Sequence, residues 1–362
     1  MSKISVQLGE RSYEIVIEPG VLDRAGAEIS SVHRGGTVAV ISNPRVAGLY
    51  ASALTRSLDA AGIPHSVFAV PMGERYKSLS TCRKLYEHFL DIKLDRAGMV
   101  IALGGGVIGD LAGFTAGTFV RGVDFVQIPT TLLAQVDASV GGKTAVDLPR
   151  GKNLVGVFHQ PKRVLIDTNT LKSLPKRELR AGLAEVFKHG IIHDQYLFDF
   201  TRDNAEALLN AEPTALEVVI RRSCEFKADV VRRDERESGL RAILNFGHTF
   251  AHAIESATGY RRFRHGEAVA MGIVAAARLS DDLGIAKPAI SPTIEQAFAV
   301  ARLPVRIPAD LGVDDLVSNM ALDKKVMAGR TRLVLIRRIG EPEIVENVDS
   351  AALAKAIRAV QG

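Results

Sequence analysis

The strongest constraint on the fold is a rhythm in the first half of the chain. Residues 37–42 (TVAVIS), 65–70 (HSVFAV) and 99–103 (MVIAL) are short, β-branched apolar runs. Each leads into turn residues and then a segment of helical period. Such alternation predicts a parallel, doubly wound sheet. Residues 5–8 and 13–17 alternate apolar and polar around Gly9-Glu10-Arg11, which predicts a hairpin, and 125–128 and 163–167 read as further strands. After Leu174 the rhythm stops. Helix-period runs follow at 176–192, 213–233, 239–258 and 266–283, and strand signals nearly vanish until 331–336 (TRLVLI). A length of 362 residues suits two domains. The expected division is an α/β N-terminal domain with a parallel, doubly wound Rossmann-like sheet over residues 1–172, and a mostly α-helical C-terminal domain over 173–362.

With 47% hydrophobic and 24% charged residues the chain can bury a large core. The N-terminus has no apolar h-region, so no secretory signal is expected. The longest nearly apolar stretch, 268–277, is too short to span a bilayer. Two cysteines, Cys82 and Cys224, make no disulfide framework and suit a reducing cytoplasm. Net charge is +5 and the pI about 9.2. With no Trp, few aromatics and scattered Lys and Arg, the surplus argues against nucleic acid and for local phosphate or carboxylate pockets.

Strand MVIAL runs into Gly104-Gly105-Gly106-Val107-Ile108-Gly109-Asp110. Gly104, Gly106 and Gly109 fit G-x-G-x-x-G after a strand and before a helix, the context of a pyrophosphate site. The acid that normally ends the next strand and holds the ribose is missing, because that strand ends Ile128-Pro129-Thr130-Thr131. A variant dinucleotide mode is therefore expected, with Gly73-Glu74-Arg75-Tyr76-Lys77 as a candidate reader of adenosine. Further on, Gly141-Gly142-Lys143-Thr144 resembles the end of a P-loop, but Asp137 stands where the first glycine should be, so ATP chemistry is rejected. Lys143 and Lys152 flank an expected hairpin and are candidates to converge on a phosphate.

Three segments of the helical half are dense in metal-binding and charged residues. Glu185 and Lys188 lie three apart on one helix face, His248 and His252 four apart on another, and His265 follows Arg264 at a helix start. Two histidines at i, i+4 are able to grip zinc, and a polar cluster within apolar helices must be satisfied. Glu185, His248, His252 and His265 thus point to a His–carboxylate metal site. Spacing favours the helical pair and does not decide which three are ligands.

The segments GGGVIGDLAGF, IPTTLLAQVDASVGGKTAVD, GKNLVGVFHQP, GLAEVFKHGI, LNFGHTFAHAIE and HGEAVAMG, in this order, resemble the motif series of the 3-dehydroquinate synthase family. The resemblance runs from the first hairpin to the last strand. It implies metal ligation (zinc or cobalt) by Glu185, His248 and His265, with His252 facing substrate. It implies NAD contacts from Asn43, Glu74, Lys77, Gly106, Val107, Ile108, Gly109, Asp110, Thr130, Thr131, Thr170, Leu171, Lys172 and Ser173, with Lys143 and Lys152 beside them. The substrate-facing set it implies is Asp137, Lys143, Lys152, Asn153, Lys188, Lys227, Arg241, Asn245 and His252, with Lys324 or Lys325 as a further cation. Arg121 matches a position that reaches a neighbouring subunit's site, which implies a homodimer.

The implied reaction turns 3-deoxy-arabino-heptulosonate 7-phosphate into 3-dehydroquinate and phosphate. It proceeds by transient oxidation, β-elimination, reduction, ring opening and aldol closure, with no net use of NAD. Lys143, Lys152, Lys324 or Lys325 and Arg121 are then expected on the phosphate, and Arg241 with Lys227 on the carboxylate. The alternatives are a cyclase making deoxy-inosose or a valiolone, a metal-dependent alcohol or polyol dehydrogenase, and a zinc-stabilised scaffold.

Overall fold

The computed structural model describes residues 2–149, 151–325 and 332–362, with 322–325 described by backbone alone. The chain divides into two compact units. Met1–Leu174 and Leu216–Arg236 form the first, and Pro175–Ala215 with Glu237–Gly362 the second.

The first unit is built on a seven-stranded sheet. Its strands are β1 (Ser2–Val6), β2 (Tyr13–Ile17), β3 (Val38–Ser42), β4 (His65–Ala69), β5 (Met99–Gly104), β6 (Asp124–Pro129) and, after a separate hairpin, β9 (Arg163–Ile166). The hairpin is β7 (Lys143–Leu148) with β8 (Gly151–Phe158). The sheet order is β1-β2-β9-β6-β5-β3-β4, antiparallel only between β1 and β2. The first strand starts earlier than its alternation suggests. Ser2 pairs with Ile17 and Val6 with Tyr13, because a 3-10 turn at Gly9–Arg11 takes up the residues between.

Burial explains why β3 and β5 read as unbroken apolar runs. Val38, Val40, Met99, Ile101 and Leu103 pack into the core on one face, and Ala39, Ile41, Val100 and Ala102 into the core on the other. Helix Ser52–Ala60, after β3, covers the first face through Leu54 and Leu58. Helix Gly106–Thr118, after β5, covers the second through Ile108, Leu111 and Ala112. Adjacent strands whose following helices lie on opposite faces define a topological switch point, where open α/β sheets bind ligands. The loops leaving β3 and β5 start there.

The sequence expectation gave everything after residue 172 to the second domain, yet 216–236 clusters with the first unit. The contacts supply the reason. On helix Pro213–Arg233 the Cys224 thiol donates to the Gln135 carbonyl and the Lys227 ammonium to Asp137. Just beyond it, Glu235 accepts from Arg11 and Gln160. Both cysteines are buried, unpaired thiols.

The second unit is mainly helical, with the hairpin β10 (Arg332–Arg338) and β11 (Glu341–Glu346). The run expected as one helix over 239–258 is broken. A 3-10 turn spans Leu240–Asn245, Gly247 takes a left-handed φ of 78°, and the α-helix begins at His248. No helix among the described residues is long and apolar enough to cross a membrane.

Candidate active site

Each unit carries its own cluster. In the second unit three helices supply it: Lys176–His193 bears Glu185 and Lys188, His248–Ala257 bears His248, and His265–Asp282 opens on His265. Glycines bring these helices together. A Cβ on Gly266 would stand 1.9 Å from the Ala181 carbonyl oxygen, one turn before Glu185, and a Cβ on Gly272 would stand 2.3 Å from the Gly247 carbonyl oxygen. Only glycine permits such approach. The start of the third helix is further pinned where Glu267 accepts from the Arg264 N–H and from both arms of Arg177.

Glu185, His248 and His265 each point one donor atom into a space 4.8 Å or less across. His248 Nε2 and His265 Nε2 both lie 3.6 Å from Glu185 Oε1. Tetrahedral ligands about 2.0–2.1 Å from a zinc ion stand roughly 3.4 Å apart, close to the two distances measured from Glu185. Two imidazoles and a carboxylate are also the donor types that zinc and cobalt accept. The far nitrogens are anchored: His248 Nδ1 lies 3.2 Å from the Phe246 carbonyl and His265 Nδ1 3.4 Å from Glu255 Oε1. Glu185 is fully buried and ion-paired with Lys188, itself buried. Burial, then the Lys188 charge, pushes His248 down to about 3, so its Nε2 lone pair is available at neutral pH. For His265 burial works downward, but bonds to Glu185 and Glu255 outweigh it and raise it to about 10. An arriving cation therefore displaces a proton.

His252, favoured as a ligand by spacing, does not join the triad. It is exposed, with its ring perpendicular to that of His248 at 5.7 Å. Helical spacing placed both histidines on one face, but His265 from another helix closes the set. Asn245 donates to Glu237, and Arg241 is buried in the preceding 3-10 turn. Glu255 and Glu237 were not singled out from the sequence. The signal for Glu255 is its place seven residues after His248, on the same helix face. Lys324 and Lys325 end helix Val313–Lys325, and their side chains lie outside the described residues.

In the first unit the glycine turn follows β5 as expected, and Gly105 is the N-cap of the helix that begins at Gly106. A Cβ on Gly109 would press on Gln127 of β6 at 2.7 Å. Asn43 follows β3 at the switch point and caps the next helix through Val46 N–H. Beside this stands a charged hub. Lys77 is buried, with Asp110 Oδ2 at 3.0 Å, Glu74 and Asp147 at 3.6 Å, and Asn153 Oδ1 as a further acceptor. Burial lowers the Lys77 ammonium, but the three carboxylates outweigh this and raise it. Burial raises Asp110 to about 6 against the pull of Lys77.

The two hairpin lysines start from opposite ends of the hairpin. Lys143 opens β7 opposite Phe158, whereas Lys152 lies near the turn, where Leu148 pairs with Gly151, and contacts Glu74. Four residues of strand, about 13 Å, separate Lys143 from Asp147 beside the turn. Among the described residues Thr130 is buried with no hydrogen-bond partner for its hydroxyl, and Thr131 caps Ala134 N–H. Thr170, Leu171, Lys172 and Ser173 form a 3-10 turn after β9. It is held by Gln135, whose amide donates to Pro129 O, Asp167 O and Thr170 Oγ1, a buried tie that sequence reading missed. Val120 and Arg121 take left-handed φ values of 44° and 73°, and Arg121 is exposed.

Residues 67–181 match the family described as 3-dehydroquinate synthase N-terminal, and 182–326 its C-terminal counterpart. The 3-dehydroquinate synthase of Desulforamulus reducens is 48% identical over 351 residues, covering 97% of this chain and 98% of that one. Among solved structures, a 2-epi-5-epi-valiolone synthase from Streptomyces hygroscopicus subsp. jinggangensis with NAD+ and Zn2+ bound is 27% identical, with a TM-score of 0.90 over 98% of both chains. A 2-deoxy-scyllo-inosose synthase complexed with carbaglucose-6-phosphate, NAD+ and Co2+ is 26% identical, with a TM-score of 0.89 over 99% of this chain and 100% of that one. By its sequence along nearly its whole length, the chain belongs to the 3-dehydroquinate synthase family.

Proposed function

We propose that the chain converts 3-deoxy-arabino-heptulosonate 7-phosphate to 3-dehydroquinate and phosphate, using NAD and a divalent metal ion. The observation that carries this is the convergence of Glu185, His248 and His265 in a chain 48% identical to a 3-dehydroquinate synthase. When bound, NAD takes up and returns a hydride, and the metal acidifies and orients a substrate hydroxyl. The protein side of the work falls to its own residues. Glu185, His248 and His265 hold the ion. Lys188, paired with Glu185, donates to substrate hydroxyls. The turn from Gly106 to Asp110, with Asn43, Glu74, Lys77, Thr130, Thr131 and residues 170–173, holds the dinucleotide.

Arg241, Asn245, Lys227 and Asp137 are the proposed substrate contacts. Lys227 is held on Asp137, which fixes its ammonium for a carboxylate. Lys143, Asn153, His252 and one of Lys324 and Lys325 complete the set, and Lys152 stands on the nucleotide side with Glu74. The reading includes a homodimer in the cytoplasm, with Arg121 serving the neighbouring subunit. Its exposure and the exposed row Leu154 and Phe158 on β8 support a subunit contact, which light scattering after gel filtration checks.

The test is a coupled assay for phosphate and dehydroquinate with and without chelator. Equal release of both, lost with chelator and without net NADH, is the expected result. Preferred turnover of glucose 6-phosphate or sedoheptulose 7-phosphate would instead favour the other cyclases, the second reading, which likeness to their structures motivates.

A further inference from the structure

Helix His248–Ala257 carries His248, His252 and Glu255 on one face, since residues four and seven apart superpose on a 3.6-residue turn. The middle residue is exposed, but Glu255 is only 5% exposed. Its Oε1 stands 3.4 Å from His265 Nδ1, across the ring from the Nε2 that faces Glu185. The two histidines need such an anchor unequally. The His248 side chain is 12% exposed and its Nδ1 has the Phe246 carbonyl, fixed by the same chain turn. The His265 side chain is 36% exposed and opens its helix. Arg264, Glu267 and Arg177 fix its backbone but not the two torsions that aim its ring.

We infer that Glu255 is a positioning residue for the metal centre, holding His265 protonated at Nδ1 and turned with Nε2 toward the ion. A carboxylate does this better than a carbonyl. Its charge strengthens the bond to Nδ1–H and makes the far nitrogen a stronger donor. The inference rests on the metal-centre reading above and adds a residue that never touches the ion.

The test uses the full chain stripped with chelator. Co2+ is titrated in competition with a chromophoric chelator, and the visible bands of the loaded protein are recorded for wild type, Glu255→Gln and Glu255→Asp. Glu255→Gln keeps shape and an acceptor oxygen but loses the charge. It is expected to weaken Co2+ binding by about 10–100-fold and to shift the visible bands, which report ligand geometry and not stability. Glu255→Asp keeps the charge one methylene further back and is expected to fall between. Wild-type affinity and spectrum in Glu255→Gln overturn the inference. If that variant does not fold, Glu255→Asp decides in its place: weaker binding with shifted bands supports the role, and wild-type binding overturns it. A wild-type chain that takes up no Co2+ overturns the metal centre itself. Tight wild-type binding that both folded variants retain overturns only the part given to Glu255.

Discussion

In the first unit the cluster around Lys77 is assembled from chain ends: the exits of β4 and β5 and the tip of the β7–β8 hairpin. In the second unit the triad is assembled from side chains on helices pressed together at glycines. The first kind of site takes its shape from topology, because parallel strands put all their exits on one sheet edge. The second takes its shape from packing, so its geometry depends on single contacts between helices. Substitutions should separate the two. Changes in the second unit should act on metal binding, and changes at the hub on dinucleotide binding and on stability and its pH dependence.

The largest effect is expected at the triad. Glu185→Gln removes the only anionic donor of the set and leaves buried Lys188 without its carboxylate. A metal worth several kcal/mol in the transition state implies a loss of about 10³-fold or more in kcat/KM. Metal content by elemental analysis should fall with it, and a variant retaining both would remove the triad from the mechanism. Next comes His252→Ala. It should keep wild-type metal content and lose about 10²-fold or more in kcat, as for a group that handles a proton or substrate oxygen. His265→Ala should lose both. The reverse pattern would return the helical pair His248 and His252 to favour.

Gly266→Ala tests packing itself. Its Cβ would meet the Ala181 carbonyl oxygen at 1.9 Å, and backbone cannot step aside as a side chain does. The expected cost is about 1–3 kcal/mol, seen as a lower Tm, with weaker metal binding because the helix bearing His265 moves from the one bearing Glu185. An unchanged Tm with unchanged metal affinity would show that the helices slide freely there.

The same contrast governs how much was legible from the sequence. The parallel sheet was legible because β3 and β5 bury both faces and so consist of apolar residues throughout. The glycine turn was legible by pattern, but its place at the switch point was not, since strand order does not follow sequence order. The triad residues stood out by type. Periodicity alone paired His248 with His252, because spacing along one helix says nothing of a third helix. The left-handed Gly247, which starts the helix at His248, looked like the interior of a longer one. The packing of residues 216–236 with the first unit was hidden for a similar reason: it depends on Cys224 and Lys227 meeting Gln135 and Asp137, some 90 positions away.

The smallest effect belongs to the hub and depends on pH. Asp110 titrates near 6 in the folded chain, above the ordinary carboxylate value, because burial outweighs the attraction of Lys77. The folded state therefore binds this proton more tightly than the unfolded state does. The stability that Asp110 contributes is complete below the ordinary carboxylate pKa, and it is lost as pH rises through 6. Asp110→Asn cannot ionise, and Lys77 keeps Glu74 and Asp147. Relative to wild type, the variant should therefore gain stability as pH rises from about 4 to 7, by no more than about 3 kcal/mol. Thermal midpoints of both proteins across that range are the measurement. A gap that stays constant with pH would mean that Lys77 fully offsets the burial of Asp110, and that the hub holds its charges as comfortably as the exposed surface does.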